Sequence, residues 1–600
     1  MPFGAVPGPD GVRFAVWAPS AAAAVLLVDE RSLPMERAAQ GFFYCFDPDA
    51  APGSRYAFRF DTSELAVPDP ASRFNPDGVH ERSEVVAADA FEWRDGDWRG
   101  RPWTGAAIYE LHVGTFTPEG TYTAAAERLD YLAELCVTAI ELMPLAATPG
   151  RWNWGYDGVL PFAPQAGYGR PEDLKRFVDA AHRRNLMVLV DVVYNHFGPD
   201  GNYLGLYASE FFTPKHKTPW GNALNFDDKS STVVRQFFIH NALYWLEEYH
   251  FDGLRLDAVH AIVDDSDPSF LRELASAVRA LAVNRAVHLV LENDANDAAL
   301  LEYDAARRPR AYTAQWNDDF HHALHVLLTG EMRGHYGDYA EPGAALLRTL
   351  SEGFAFQGEH SSHRDAPRGS PSGQLPLEAF VNFLQNHDQI GNRPDAKRLW
   401  MLLDPQPLLA AETLLALLPT PILMFMGDEL HAPSGFPFFC DFTGELGRAV
   451  TEGRRAEFAS FWHDRSVETA PGPTTAAAKA AAVLDWTALE REPHKSAFES
   501  ARRRLAVRRQ ELVPRLPACS TGAGLLGPTA LVAEWQLADG ALLTLAANLA
   551  AEPYAAPPAV RGLELLATRG DGFIFEDEKK SVPKSASSWP PWYVRWGCER

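Results

Sequence analysis

Short apolar runs alternate with amphipathic stretches through the middle of the chain, from about residue 105 to residue 430. Each run has the length of a buried strand, and most gaps hold apolar residues at helical spacing, as in 170–185, 234–250 and 268–284. Strands that alternate with helices form parallel sheets, and eight of them in one block favour closure. The pattern therefore predicts an α/β fold built on a (β/α)8 barrel. Its predicted strands are AIYELHV, TAIELMP, MVLVDVV, FDGLRLDA, VHLVLEND, AYTAQW, AFVNFLQN and PILMFMGD.

The two ends of the chain follow a different pattern. Residues 1–90 hold short runs such as GVRFAVWAPSA and SRYAFRFD, punctuated by Gly, Pro and Asp, which predict an N-terminal β-sandwich domain. Residues 91–515 form the predicted barrel domain with its insertions, and residues 516–600 predict a C-terminal β-sheet domain. Two segments of the barrel domain, 331–378 and 431–480, are irregular and predict long loops, which often build active sites.

Composition narrows the class of protein. The chain has 600 residues, of which 46% are hydrophobic and 22% charged, as in ordinary globular proteins. Its net charge of −24 argues against nucleic acid and anionic membranes as partners, because both attract basic surfaces. The five cysteines are scattered, which disfavours a disulfide framework or a zinc site. Neither a membrane span nor a signal-peptide pattern is evident, so we expect a cytoplasmic location. We also expect a monomer.

Acidic residues follow three of the predicted strands at their carboxyl ends, where barrel enzymes carry their active sites. Asp257 follows the fourth strand, Glu292 the fifth and Asp388 the seventh. One acidic residue at a strand end is more often a cap or part of a surface ion pair. Three that converge on one mouth indicate chemistry, and we expect these carboxylates to meet there.

Three acids at a barrel mouth suit either metal-assisted hydrolysis or glycoside cleavage. Arg255 helps to choose, because it lies on the same face of its strand as Asp257. A permanent cation there would keep the Asp257 carboxylate ionised, as a nucleophile requires, and would oppose metal binding. Glu292 follows the apolar run VHLVL, so burial would raise its pKa and let it donate a proton near neutral pH. A purely structural ion pair is the alternative interpretation of Arg255 and Asp257.

Four short motifs carry a family resemblance. DVVYNH, GLRLDAVH, LEND and NHD, in this order on predicted strands three, four, five and seven, resemble the four short regions of the α-amylase superfamily, glycoside hydrolase family 13. GVRFAVWAPSA resembles the N-terminal β domain of its isoamylase and branching-enzyme branch. The resemblance implies that Asp257 is the nucleophile, Glu292 the acid/base and Asp388 the stabiliser of the transition state. It also implies that the cleaved sugar is surrounded by His196, Arg255 and His387.

Longer stretches resemble one branch of this superfamily. WNWGYDGVLPFAPQAGYG, QWNDDFHHALH and LQNHDQIGNR are similar to the branch that hydrolyses the α-1,4 bond next to the terminal trehalose unit of a maltooligosyltrehalose and releases trehalose. The retaining mechanism that this implies predicts carboxyl groups of Asp257 and Glu292 about 5 to 5.5 Å apart. Substrate contacts are expected from this set of residues: Tyr156, His196, Arg255, His260, Asp318, Asp319, His321, His387, Gln389 and Asn392.

Three other functions stay open at this point. A debranching or branching enzyme for α-1,6 linkages would use the same barrel and the same acids. A glycan-binding protein on an inactive barrel would not need all three acids, and a metal hydrolase would be sensitive to chelators. The favoured interpretation requires no metal and no cofactor, and its partner is a maltooligosyltrehalose or a related α-glucan.

Overall fold

The computed structural model describes residues 1–600 except 220, 283, 463–470, 556, 559–561, 570–571, 574–587 and 600. Eight parallel strands close into a barrel in the middle of the chain, and they follow one another around the ring in sequence order. The predicted (β/α)8 barrel is confirmed, including its short sixth strand. The barrel strands are Ala107–Leu111, Ala139–Leu142, Met187–Val192, Gly253–Leu256, His288–Leu291, Ala314–Trp316, Phe380–Phe383 and Ile422–Phe425.

Burial on both faces explains why the barrel strands are apolar runs rather than alternating ones. Every residue of Ala139–Leu142 and of Met187–Val192 is buried. The fourth strand begins with a glycine because a Cβ at Gly253 would lie 2.2 Å from the carbonyl oxygen of His288 on the fifth strand. This close approach brings together the two strands whose carboxyl ends carry the most important polar residues.

Helices surround the barrel, and two of them lie in segments that were predicted to be loops. The segment 331–378 is not a continuous loop, because it contains the helix Pro342–Glu352, which packs against the helix Asp318–Thr329. Pro342 stands at its first turn and Gly353 follows its last residue, so these two residues mark helix ends. The longer helices are Pro171–His182, Ser231–Glu248, Phe270–Leu281, Asp318–Thr329, Pro342–Glu352, Pro405–Ala416, Gly444–Trp462 and His494–Val507.

The helix Gly444–Trp462 likewise replaces part of the loop predicted for 431–480, of which residues 463–470 lie outside the described part. Shorter helices complete the pattern. They are Val113–Phe116, Tyr122–Ala126, Leu129–Leu135, Leu204–Tyr207, His387–Gly391, Leu399–Leu402 and Ala476–Ala481. Among the described residues, no helix combines the length and the apolar character that crossing a bilayer requires.

The N-terminal part forms the predicted β-sandwich of two antiparallel sheets. It packs on the barrel through Phe3, whose ring meets Phe237 edge-on with centroids 5.3 Å apart. One sheet contains Gly4–Gly8, Gly11–Trp17, Glu36–Arg37 and Phe42–Asp47. The other contains Ala24–Val28, Arg31–Pro34, Arg55–Phe60, Ala66–Val67 and Ser83–Glu84.

The C-terminal part forms the predicted β domain as a six-stranded antiparallel sheet. Its Trp596 indole donates to the carbonyl oxygen of Thr413 on a barrel helix at 2.9 Å, which anchors the sheet. The domain boundaries at 90/91 and 515/516 remain predictions. The strands of this sheet are Ala518–Leu525, Ala530–Leu537, Leu542–Asn548, Leu563–Arg569, Gly572–Phe573 and Tyr593–Glu599.

Candidate active site

The Arg255 guanidinium joins three carboxylates at the mouth of the barrel. Arg255 lies on the fourth strand and is fully buried. Its Nη1 donates to Asp257 Oδ1 at 3.0 Å and to Asp191, and its Nη2 donates to Glu292 Oε2 at 2.9 Å. Asp257 and Glu292 are thus held by neighbouring nitrogens of one planar group, an arrangement that favours a short and fixed spacing between them.

A second hydrogen bond reaches each carboxyl group, at Asp257 Oδ2 and again at Glu292 Oε2. The Asn195 side-chain amide donates to Asp257 Oδ2 at 2.8 Å, and the Ala258 backbone N–H donates to Glu292 Oε2 at 2.7 Å. Ala258 has a φ of +39°, in the left-handed region that non-glycine residues rarely occupy. This strained turn directly follows Asp257, and its conformation places the Ala258 N–H within hydrogen-bond distance of Glu292.

Burial sets the proton affinity of Glu292. Its pKa is raised, first by burial and then by the negative charge of Asp257, and these effects outweigh the Arg255 cation and the Ala258 N–H. Glu292 therefore retains a proton at higher pH than an ordinary glutamic acid. Burial likewise raises the pKa of Asp191 to about 7, although Arg255 opposes the shift.

Asp388 lies in the first turn of the short helix His387–Gly391, which follows the seventh barrel strand. Its backbone N–H donates to Asn386 Oδ1 at 2.9 Å, and its Oδ1 accepts from the Asn392 amide at 3.2 Å and lies 3.4 Å from His387 Nε2. Tyr156 stacks on the His387 ring with centroids 5.1 Å apart and donates to Asp191 at 2.6 Å. Tyr156 and His387 are therefore brought together beside Arg255, and their contact with a substrate stays a prediction.

A cleft of about 600 Å³ opens from Glu292 and Asp388. Asp318 faces this cleft from the first turn of its helix, and its pKa is raised well above the usual range by burial and by the carboxylates of Glu292 and Asp294. A protonated Asp318 can donate a hydrogen bond to a ligand hydroxyl. Six predicted residues line the cleft, namely His260, Glu292, Asp318, Asp388, Gln389 and Asn392.

One wall of the cleft was missed from the sequence. It comes from the segment 331–378, which folds back over the carboxyl end of the fifth strand, where Arg364 and Arg368 form ion pairs with Asp294. The segment is rich in His and Arg, which could have indicated a role at the site. Composition alone does not predict where a long loop packs on the barrel. The residues of this segment that line the cleft and were missed are His335, Tyr336, Asp338, Ser361, His363, Arg364 and Arg368.

Two predicted substrate contacts are corrected by the structure. Asp319 is fully buried, and its carboxylate accepts from Asn296, from the backbone N–H groups of residues 355 and 356, and from Tyr339. His321 is also buried and bonds to the Leu384 carbonyl oxygen and the Tyr336 hydroxyl. Asp319 faces the interior because a rotation of about 100° along the helix turns it away from the side on which Asp318 meets the cleft. His321 lies on nearly the same helix face as Asp318, but its two hydrogen bonds hold it in the protein interior.

His196 is half-buried and is not among the residues that line this cleft. Its Nε2 is 3.0 Å from the carbonyl oxygen of Tyr156, and its Nδ1 bonds to the side chain of Asn195. His196 therefore connects the residue that stacks on His387 with the residue that holds Asp257.

A possible metal-ligating group lies outside this cleft. His216, Asp227 and Asp265 bring ligand atoms within 4.8 Å of one another. The Lys215 ammonium already lies 2.8 Å from Asp227 and 3.0 Å from Asp265, so a cation fills the position that a metal would need. The chemistry of this group does not fit a bound metal.

Replacing Arg255 by methionine is expected to lower the free energy of unfolding by about 3 to 5 kcal/mol at neutral pH, because buried carboxylates lose their shared cation. Urea denaturation measures this change. Arg59→Met, at an exposed position on the N-terminal sandwich, is the matched control and is expected to change stability by less than about 0.5 kcal/mol. Equal effects of the two substitutions would contradict a central electrostatic role for Arg255.

Comparison with known families agrees with this geometry. Residues 2–79 match the profile of carbohydrate-binding module 48, described as the isoamylase N-terminal domain, and residues 77–219 match that of the α-amylase catalytic domain. Residues 520–573 match a domain of unknown function, DUF3459. The closed barrel, its carboxylates and the N-terminal sandwich define an α-amylase-type glycoside hydrolase.

Individual relatives narrow this class. A malto-oligosyltrehalose trehalohydrolase of Deinococcus radiodurans is 42% identical over 516 residues, which cover 85% of this chain and 82% of the relative. The enzyme of the same name from Saccharolobus solfataricus is 42% identical over 461 residues, or 76% of this chain and 80% of the relative. The chain belongs to the malto-oligosyltrehalose trehalohydrolase family. A crystal structure of a candidate α-amylase from Salmonella typhimurium superimposes with a TM-score of 0.93 at 38% identity, covering 100% of this chain and 99% of that one.

Proposed function

We propose that this protein is a retaining glycoside hydrolase that cleaves the α-1,4-glucosidic bond next to the terminal trehalose unit of a maltooligosyltrehalose, releasing trehalose and a maltooligosaccharide. The observation that carries the proposal is the Arg255 bridge between Asp257 and Glu292. It fixes a carboxylate beside a second carboxyl group of raised pKa, which are the two groups that a retaining glycosidase needs. The trehalose unit as leaving group is inferred from the relatives' names.

In the first step the Asp257 carboxylate attacks the anomeric carbon of the glucose that precedes the trehalose unit. The proton of Glu292 goes to the glycosidic oxygen, the bond between that oxygen and the anomeric carbon breaks, and trehalose leaves with a complete hydroxyl group. Asp388 faces the positive charge that develops on the sugar ring, and its negative charge stabilises that state.

In the second step the glycosyl-enzyme is hydrolysed. The Glu292 carboxylate takes a proton from a water molecule, the water oxygen attacks the anomeric carbon, and Asp257 leaves as a carboxylate. Two inversions give net retention, and Glu292 is again protonated. Arg255 contacts both groups throughout, so it compensates whichever carboxylate carries the charge at each stage.

The trehalose unit is assigned to the side of Glu292, because the acid protonates the leaving oxygen. On that side the cleft presents His260, Asp318, Gln389 and Asn392, the predicted grip on trehalose and the adjoining glucoses. The wall from segment 331–378 encloses the same space. A disaccharide without a reducing end needs many hydroxyl contacts, and this polar lining supplies donors and acceptors for them.

The pH dependence of kcat/KM is expected to report the raised pKa of Glu292. Activity requires its protonated form, so kcat/KM falls as pH rises through that pKa, and a raised value moves the fall toward higher pH. α-Maltosyl fluoride is the control substrate, because fluoride leaves without a proton. Its kcat/KM is expected to lack this alkaline fall, and an identical fall for both substrates would reject Glu292 as the acid.

Product analysis tests the proposed function. The purified protein is incubated separately with a maltooligosyltrehalose, with the maltooligosaccharide of equal length and with a branched glucan. Trehalose is expected from the first substrate, at a rate far above any cleavage of the other two. Faster release of linear chains from the branched glucan would be consistent with the same barrel and the same catalytic acids, but it would assign the protein to the debranching enzymes.

The cytoplasmic location and the monomeric state are part of the same proposal. They are supported by the acidic composition and by the five cysteines, of which none forms a disulfide within the described residues. Sedimentation equilibrium tests the oligomeric state, with a mass of 66.3 kDa expected for the monomer.

A further inference from the structure

Glu110 is a buried acidic residue that the mechanism above does not use. It lies on the first barrel strand, Ala107–Leu111, and does not line the cleft. One of its carboxylate oxygens accepts from the His387 ring at Nδ1, and the other accepts from the His387 backbone N–H at 3.2 Å. Both oxygens of Glu110 are therefore committed to a single residue, which stands 277 positions later in the chain.

We propose that Glu110 is a positioning residue that keeps the His387 ring doubly protonated, so that its Nε2–H is always available to the Asp388 carboxylate and to the hydroxyls of the bound sugar. This inference rests on the proposed function, because it assigns Glu110 a role in that same reaction. Glu110 acts through His387 and does not itself contact the substrate.

The contact between His387 and Asp388 requires the second proton. Because Nδ1 donates to Glu110, a neutral ring would turn the lone pair of Nε2 toward Asp388 Oδ1, which is 3.4 Å away. Two lone pairs at this distance repel each other, whereas an Nε2–H attracts the carboxylate. The geometry is therefore that of an imidazolium between two carboxylates.

The surroundings of the ring favour the charged form on balance. Burial and the Arg255 cation oppose the positive charge, but Glu110 and Asp388 outweigh them and raise the pKa of His387 to about 9. Aromatic rings also face the imidazolium, with Tyr156 stacked on it and Trp154 meeting it edge-on at 5.3 Å. The charged and titratable groups around the ring are Glu110, His112, Glu141, Arg255 and Asp388.

The pKa shifts of two of these neighbours favour their uncharged forms. Burial lowers the pKa of His112 to about 3, so it remains a neutral imidazole. Burial and the nearby Glu110 raise the pKa of Glu141 well above the usual range, which favours its protonated form. Glu110, on the first barrel strand, and Asp388 are consequently the groups that supply compensating negative charge to the His387 ring.

The first test measures the protonation of His387 in the enzyme without substrate. Histidine is labelled with 15N, and the signal of His387 is identified by its loss in His387→Asn. At pH 7.5 both ring nitrogens are expected to be protonated, with a titration midpoint near 9. In Glu110→Gln, whose amide oxygen still accepts from Nδ1 but carries no charge, the midpoint is expected to fall by about two pH units or more. A singly protonated His387 in the unchanged enzyme at pH 7.5 would overturn the proposal.

The second test is the pH dependence of the activity ratio between Glu110→Gln and the unchanged enzyme. Each pH unit above the lowered midpoint removes about nine tenths of the protonated form, so the ratio is expected to rise at least tenfold from pH 8 to pH 5.5. A ratio that does not change with pH indicates a merely structural role and overturns the proposal. Glu110→Asp, which keeps the charge, is expected to restore a pH-independent ratio.

The two tests separate this inference from the proposed function. The measurement of His387 protonation uses no substrate, so its result stands whether or not trehalose is the product. If Glu110→Gln does not fold, the protonation state of His387 in the unchanged enzyme still tests the proposal. Failure to release trehalose would contradict the proposed substrate and leave the Glu110 result intact.

Discussion

Replacing Asp257 by asparagine is expected to lower kcat by roughly 10⁵- to 10⁶-fold, the size of effect seen when a covalent catalyst loses its nucleophile. The amide cannot form the glycosyl-enzyme, and it no longer carries the charge that Arg255 binds at 3.0 Å. Trehalose release from a maltooligosyltrehalose measures the loss. Asp10→Asn, at an exposed position of the N-terminal sandwich, is the matched control and is expected to retain full activity.

Added azide distinguishes loss of the nucleophile from general damage to the site. In Asp257→Ala a small anion can occupy the vacated space and attack the anomeric carbon from the Asp257 side, giving a β-glycosyl azide. In a variant of Glu292 the azide instead attacks the glycosyl-enzyme from the leaving-group side, giving an α-glycosyl azide. The opposite assignment of the two products would show that the roles of Asp257 and Glu292 are exchanged.

Replacing Glu292 by glutamine is expected to lower kcat by about 10²- to 10⁴-fold while the protein folds normally. The amide keeps the size of the side chain and still accepts from Arg255 and Ala258, but it has no proton to give to the leaving oxygen. Circular dichroism and thermal melting check the fold. Glu64→Gln, exposed on the N-terminal sandwich, is the matched control.

α-Maltosyl fluoride makes the prediction for Glu292 specific. Fluoride leaves without protonation, so the first step survives in Glu292→Gln, but water is no longer activated in the second step. A burst of fluoride equal to the enzyme concentration is expected, followed by slow turnover. Near-normal turnover of the natural substrate, or a lost burst with the fluoride, would reject Glu292 as the acid/base.

The barrel could be predicted from the sequence because its strands are buried on both faces. Each appears as a short apolar run, even Ala314–Trp316, which forms only three residues of strand. The carboxyl end of each run then places Asp257 and Glu292 on the same side of the ring without any knowledge of packing. The pairing of Arg255 with Asp257 followed from the alternation of side chains along one strand.

Contacts that depend on how distant segments pack could not be predicted in the same way. Asp318 and Asp319 are adjacent in the sequence, but a rotation of about 100° along the helix places one at the cleft and the other in the interior. The motif that contains them does not reveal which is which. Asp319 instead accepts from the backbone of residues 355 and 356 and so holds the inserted segment in place.

The contact between Glu110 and His387 could not be predicted for the same reason. Glu110 and His387 meet because the first and seventh barrel strands are separated by only one strand around the closed ring. Each residue is unremarkable in its own run of sequence. Their contact, and the stacking of Tyr156 on the same ring, become visible only when the eight strands are placed in register.

Time-resolved 1H NMR of a maltooligosyltrehalose digest tests the proposed reaction most directly, because it identifies the bond that is cleaved and the configuration of the new reducing end together. Trehalose is expected to appear with an equal amount of maltooligosaccharide whose reducing end is first in the α form and equilibrates afterwards. A first-formed β anomer would contradict the double displacement through Asp257. Shortened maltooligosyltrehaloses without free trehalose would contradict the assignment of the trehalose unit to the side of Glu292.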